Sequence, residues 1–154
     1  MPEPIKRHKN LQPISREHHH GLLLSWKIRQ GIAKNISYTR IKAYCDWFWE
    51  NHLQQHFDFE ERNIFPLLDK DMPMVKRVLK EHRRLRRLFQ SDNKIEQNLS
   101  LIEEELVSHI RFEERTVFKE IEKTVSEKEL ALIEQAHSDI GKHATTTWED
   151  EFWT

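Results

Sequence analysis

The chain has 154 residues, 33% of them charged and 37% apolar, with a net charge of -1. That length suits a single domain, 1–154, with a core of its own, and the near-neutral charge gives no bulk argument for nucleic acid or acidic substrates. One cysteine, Cys45, excludes an intrachain disulfide and a thiolate metal cage. With Gly at 3 and Pro at 5, punctuation is sparse and long helices are favoured. The start, MPEPIKRHKN, has no apolar signal-like core, and no apolar run reaches the roughly 18 residues of a membrane span. A cytoplasmic protein without membrane contact is the expectation. The anomalous count is histidine, at 10.

Residues 1–13 read as a polar, extended arm with Pro at 2, 4 and 13. Ser15 is placed to cap a first helix carrying Leu22, Leu24, Ile28 and Ile32, which fades near Gly31–Ser37. Ser37 or Thr39 opens a second, long helix to about Phe65. Its stripe is Ile41, Cys45, Phe48, Trp49, Phe59 and Ile64, with His52 and His56 on the same line. Pro73 suits the first turn of a third helix, with Asp71 or Met72 near the cap and a stripe of Val75, Val78, Leu79, His82, Leu85 and Phe89. That helix ends around Ser91–Lys94. The fourth runs from Ile95 or Leu99 to Lys123, with Ile102, Leu106, His109, Phe112, Val117 and Ile121 inward. Ser126 and Glu129 form a capping box for a shorter fifth helix to about Gly141. The tail holds Trp148, Phe152 and Trp153, suited to docking on the rest or to contacts with a partner. No segment alternates with period two. The expectation is an all-α, up-down-up-down four-helix bundle over 14–123, with the fifth helix and Trp-rich tail over 126–154.

Residues 56–68 read HFDFEERNIFPLL and residues 109–121 read HIRFEERTVFKEI, identical at six of thirteen positions. Each copy holds His and Glu four apart, His56 with Glu60 and His109 with Glu113, so each pair shares one helix face. The repeat extends further. Glu17-His18 on helix 1 matches Glu81-His82 on helix 3. Packed about a pseudo-twofold, the helices bring His18, His56, His82 and His109 toward one centre with Glu60 and Glu113.

Neutral imidazoles suit iron, zinc and copper, and carboxylates bridge cations. Six side chains supply two ions only by sharing. Two ions joined by shared carboxylates, with an added oxo or hydroxo bridge as an option, are the natural reading. The affinity order does not choose iron over manganese or zinc. Taken singly, a histidine on an apolar face is more often a hydrogen-bonded core residue. Recurrence on four helices, with carboxylates that burial would otherwise penalise, favours metal. Without a cation the two inward carboxylates would stand uncompensated and loosen the middle of helices 2 and 4. In the His18-His19-His20 run, the repeat favours His18, with His19 next. His52, one turn before His56, and Glu105 at the matching place on helix 4 read as groups that orient a ligand or as structural residues. His137 and His143 read as surface residues. Asp58, Glu61, Glu114, Arg62 and Arg115 flank the ligands, with the arginines read as surface ion-pair partners. The basic run KRVLKEHRRLRRLF on helix 3 places its cations mostly opposite the apolar stripe, as on a solvated face.

These residues carry a resemblance to the hemerythrin-like (HHE cation-binding) family: Glu17-His18, His56 to Glu61, Glu81-His82 and His109 to Glu114, spanning about residues 11–123. The resemblance implies a four-helix bundle with a non-haem di-iron centre, in proteins that bind or sense O2 or NO or handle iron and nitrosative stress. Oxygen carriers of the family use five histidines, two of them on the third helix. Here the third helix offers only His82, with Arg86 four residues on, so the chain is similar instead to the four-His, two-Glu subclass. That subclass includes iron–sulfur cluster repair proteins, whose cysteine-containing N-terminal domain has no counterpart here.

Three functions compete at this stage. The first is a di-iron module that meets O2, NO or peroxide as carrier, sensor or scavenger rather than as an enzyme. The second is a di-iron oxidase or peroxidase. The third is a structural bundle that uses the Trp-rich tail to form a homodimer.

Overall fold

The computed structural model describes residues 6–139 and 147–154. α1 spans Gln12–Ala33, with Pro13 in its first turn, where the missing N–H costs nothing. The helix therefore starts ahead of Ser15, and the expected cap does not form. The Ser15 hydroxyl donates instead to Glu114. Nor is the arm free and extended. Leu11 is fully buried, and Arg7 donates to Glu122 Oε1 at 2.8 Å and to the Glu114 carbonyl at 2.6 Å. α1 ends in a Schellman turn: Ile36 N–H donates to the Gly31 carbonyl at 2.9 Å and Asn35 N–H to that of Ile32 at 3.1 Å. Asn35 takes the left-handed position with φ 58°.

α2 covers Tyr38–Phe48, with the Ser37 side chain accepting from Arg40 N–H. It passes through one π-helical turn, Trp49–Leu53, into α3, Gln54–Asn63, and then a 3₁₀ turn at Phe65–Leu67. The π turn inserts an extra residue into the seam. It buries Leu53 and rotates His52 off the stripe to a half-buried position, which a strict 3.6 period does not anticipate. α4 is Pro73–Gln90, with Met72 at the N-cap position and no side-chain cap. α5, Ile95–Phe112, continues through a second π turn, Glu113–Val117, into α6, Phe118–Thr124. α7 is Glu127–Asp139, opened by the expected box: the Glu129 N–H donates to Ser126 Oγ at 3.1 Å. The expected end near Gly141 lies outside the described residues. No strand and no helix long and apolar enough to cross a membrane occurs among the described residues.

Two apolar clusters divide the interior. One gathers Leu24, Ile28, Ile41, Phe48, Leu85, Phe89, Leu99, Ile102 and Leu106. The other gathers Leu11, Ile14, Phe59, Ile64, Val75, Val78, Val117, Phe118 and Ile121, with Leu130 and Ile133 of α7. The chain runs from the second cluster to the first along α1, back along α2–α3, forward along α4 and back along α5–α6. Gly21 lets α1 lie close on α5, since a Cβ there would meet Ile110 Cδ1 at 2.7 Å.

The tail docks. Phe152 is 2% exposed, within the first cluster and edge-on to Tyr44 at 5.8 Å, and Arg40 grips Asp150 through three hydrogen bonds of 2.6–2.9 Å. Deleting a buried phenyl ring removes its contacts and leaves a cavity. Phe152→Ala should destabilise the fold by about 3 kcal/mol, read as a lower urea midpoint with unchanged slope. An unaltered midpoint would place the tail outside the cooperative unit.

Candidate metal centre

Between the two apolar clusters each of the four long helical paths carries polar groups where its seam crosses over: His18 on α1, His56 and Glu60 on α3, His82 on α4, His109 on α5 and Glu113 at the start of the π turn that follows it. All six are buried, and both glutamates are fully so. His19 and His20 are exposed, so α1 presents His18 alone of its histidine run.

The imidazole Nε2 atoms point to the two carboxylates. His18 Nε2 lies 2.9 Å from Glu113 Oε2 and 3.7 Å from Glu60 Oε2. His56 Nε2 is 3.3 Å from Glu60 Oε1. His82 Nε2 stands between the two, 3.3 Å from Glu60 Oε1 and 3.2 Å from Glu113 Oε1. His109 Nε2 is 2.7 Å from Glu113 Oε1. His18, His56, Glu60 and Glu113 form one group whose ligand atoms all lie within 4.8 Å of one another, and Glu60, His82, His109 and Glu113 form another. The two groups share both glutamates.

The donor set fits cations better than it fits itself. Both oxygens of Glu60 and the Nε2 atoms of His56 and His109 are buried and make no aligned hydrogen bond among the described residues. Buried polar atoms left without a partner are costly, and here they converge. Residues of this chemistry would hold one or two metal ions, two imidazoles and two shared carboxylates to each.

A second ring of carboxylates surrounds the imidazoles. The Nδ1 atoms contact Glu17 from His56 at 3.0 Å, Glu61 from His82 at 2.6 Å and Glu81 from His109 at 2.7 Å. The fourth, His18 Nδ1, is 3.5 Å from Glu114 Oε2. An outer carboxylate that accepts from Nδ1–H fixes the tautomer and leaves Nε2 facing inward. Glu61, read from sequence as a flanking residue, is therefore a support, while Glu114, also read as flanking, stands close to His18 Nδ1 without a hydrogen bond and accepts from Ser15. Their signal was available: the E-E doublet recurs in both copies, as the E-H doublet does on α1 and α4. His52 and Glu105 do not take this place. Glu105 pairs with Arg84 at 2.6 Å, and His52 packs on Trp47 and Phe48.

Beyond the outer carboxylates lie cations. Arg86 reaches Glu61 at 2.9 Å, Arg77 reaches Glu81 at 2.9 Å and Arg7 stands 3.7 Å from Glu114. Glu17 meets a histidine instead, with His137 Nε2 at 3.3 Å. His137 is thus no free surface residue: α7 brings it onto Glu17 and edge-on to Phe59. His143 lies outside the described residues.

The imidazoles face the two inward carboxylates and counter their charge, although both oxygens of Glu60 have no aligned hydrogen bond among the described residues. Burial alone would lower the His56 imidazole, but the Glu60 charge and the contact with Glu17 outweigh it and lift it to about 9. His18 and His82 are raised well above the usual value, against burial, by Glu113 and its neighbours, and His109 is raised too, by Glu113 and Glu81. Burial would raise Glu113 and Glu60, but the surrounding imidazoles hold both low. Burial would also raise Glu17, yet His137 and His56 bring it down to about 2. A small cavity of about 40 Å³ reaches this centre, lined among others by His18, His56 and His109 within and by His20 and His52 without.

No family profile, no curated protein and no solved structure matches the chain.

A histidine whose pKa is raised on folding adds stability that is complete below its unfolded value, 6.5, and is lost as pH rises through its folded value, about 9 for His56. The lowered carboxylates stay ionised over that range and add no slope. The Tm of chelator-stripped protein should fall between pH 6.5 and 9. A Tm that stays flat or climbs across that window would contradict the charge pairing described here.

Proposed function

We propose that the chain is an up-down-up-down four-helix bundle that holds two metal ions, iron by preference, and binds or senses a small molecule such as O2 or NO. One observation carries this reading: two four-residue groups overlap in the same two buried glutamates. His18 and His56 would serve one ion, His82 and His109 the other, and Glu60 and Glu113 both. The resemblance to hemerythrin-like proteins of the four-His, two-Glu subclass points the same way. Iron is favoured by that resemblance, and the donor set itself also accepts manganese or zinc.

Bound there, a pair of iron ions would supply electrons and a coordination position for an added ligand. The protein's own part is separate. Three outer carboxylates, Glu17, Glu61 and Glu81, hold their imidazoles at fixed tilt, and Glu114 stands beside the fourth. Two apolar clusters exclude water on either side. The cavity beside His18 and His56 has room for a molecule of two or three heavy atoms, and this supports a diatomic ligand or peroxide over an organic substrate. A carrier, sensor or scavenger is therefore preferred to an oxidase acting on a larger molecule.

Purified protein should carry about two metal ions per chain by elemental analysis, mainly iron when iron is supplied, with an optical spectrum that changes on exposure to O2 or NO. Glu60→Ala and Glu113→Ala should each remove most of both ions, because each residue serves both. His18→Ala should lose more metal than His19→Ala or His20→Ala. Chains that bind no tight metal, aerobically or anaerobically, would sink the proposal.

The outer ring makes a finer test. Glu61→Gln and Glu114→Gln should keep both ions but weaken their affinity about tenfold to a hundredfold, as is usual for groups that orient metal ligands. Affinities equal to the parent protein's would remove those two residues from the site.

A further inference from the structure

The four outer carboxylates are not equivalent in what lies outside them. Glu61, Glu81 and Glu114 each face an arginine: Arg86, Arg77 and Arg7. A cation approaching on those sides meets a fixed positive charge. Glu17 is paired to His56 and His137 instead. The 40 Å³ cavity opens beside Glu17, and two more imidazoles line its outer end: His20, exposed, and His52, half-buried, with ring centroids 6.3 Å apart and planes within 19°. At the inner end stand His18, His56 and His109. The cavity thus sets five imidazoles and one carboxylate among apolar walls from surface to centre, on the side where, among the described residues, no arginine clamps the outer carboxylate.

We propose that His20 and His52, with the Glu17 carboxylate, form the entry site through which divalent cations are taken up and handed to the buried centre. This rests on the two-ion reading above. The role needs donors that bind weakly and release. Two imidazoles at the mouth fit that need, because they supply nitrogen ligands with no negative charge to trap the ion. Burial and the neighbouring His20 both push the His52 imidazole down, which favours the neutral ring with one nitrogen open to a cation. The Glu17 carboxylate, on the cavity wall between the mouth and His56, supplies the attraction. A carboxylate beside the mouth of a cleft with low-dielectric walls raises the local concentration of cations and their rate of arrival. Neither His20 nor His52 belongs to the six residues of the centre, so the two should govern how fast metal enters and leave how much is held unchanged.

The test is the rate of Co²⁺ uptake by chelator-stripped full-length protein, followed by visible absorption in stopped flow, with final content from elemental analysis. The double variant His20→Ala/His52→Ala is decisive because it widens the mouth while removing the donors. If the cavity is only a hole, uptake speeds up. If the imidazoles relay the ion, uptake slows, roughly tenfold at the low end of such guiding effects, to the same final content. His20→Arg changes only an exposed side chain and should also slow uptake, a slowing that added salt relieves. His19→Ala, one residue from the mouth residue, should load at the parent rate. Parent-like or faster loading by the double variant overturns the entry site. So does a double variant of parent-like helicity that reaches a lower final content, since that would make His20 or His52 a holding residue. Failure of the parent protein to take up Co²⁺ at all would instead refute the two-ion centre, and the entry site with it.

Discussion

Two ionised carboxylates, Glu60 and Glu113, sit with no solvent exposure where the two apolar clusters meet. Burying one such charge without a partner is expensive, and burying two side by side is more so. Everything around them answers that cost. Four imidazoles surround the pair and are held toward their charged form by it. Four carboxylates lie against the far side of the imidazoles. Three arginines and His137 stand beyond. Carboxylates and nitrogen groups alternate outward from the centre in shells, and each shell makes the one inside it tolerable. The same arrangement favours metal. Cations between the imidazoles and glutamates would replace protons, so binding must compete with them and strengthen as they are removed.

The arrangement also explains why the polar band does not break the fold. It occupies one level only. Above and below it, aliphatic and aromatic side chains pack in the ordinary way, with Phe57 stacked on His82 at 3.8 Å and Phe118 on His18 at 5.3 Å. The rings that fix the imidazoles from the side belong to the core itself. Rigidity at the centre therefore comes from packing as well as from the outer hydrogen bonds, and a change in either should be felt at the other.

Much of this was legible in the sequence, for a physical reason. A helix repeats every 3.6 residues, so His and Glu four apart must share a face, and a doubled motif with matched partners on the other two helices could hardly be read as four unrelated core histidines. The six inner residues follow from that. What stayed hidden depends on features without periodic signature. The π turn at Trp49–Leu53 shifts the seam by a residue, so His52 was read on the buried line and lies beside it. Arg7 comes from a segment read as a loose arm, and His137 from a helix read as separate. Their contacts with Glu114 and Glu17 span some hundred residues of sequence. Glu61 and Glu114 were visible as repeats, but doublets of glutamate are common on solvated faces, and only the packing of neighbouring helices brings each against an imidazole.

The proposed centre depends on sharing: one pair of glutamates would serve two ions. The most direct measurement is Mössbauer spectroscopy of the iron-loaded protein in an applied magnetic field. Two ions joined through Glu60 and Glu113 should be exchange-coupled, giving a ground state in which their moments oppose each other. Two magnetically independent iron ions, or a single ion per chain, would contradict it.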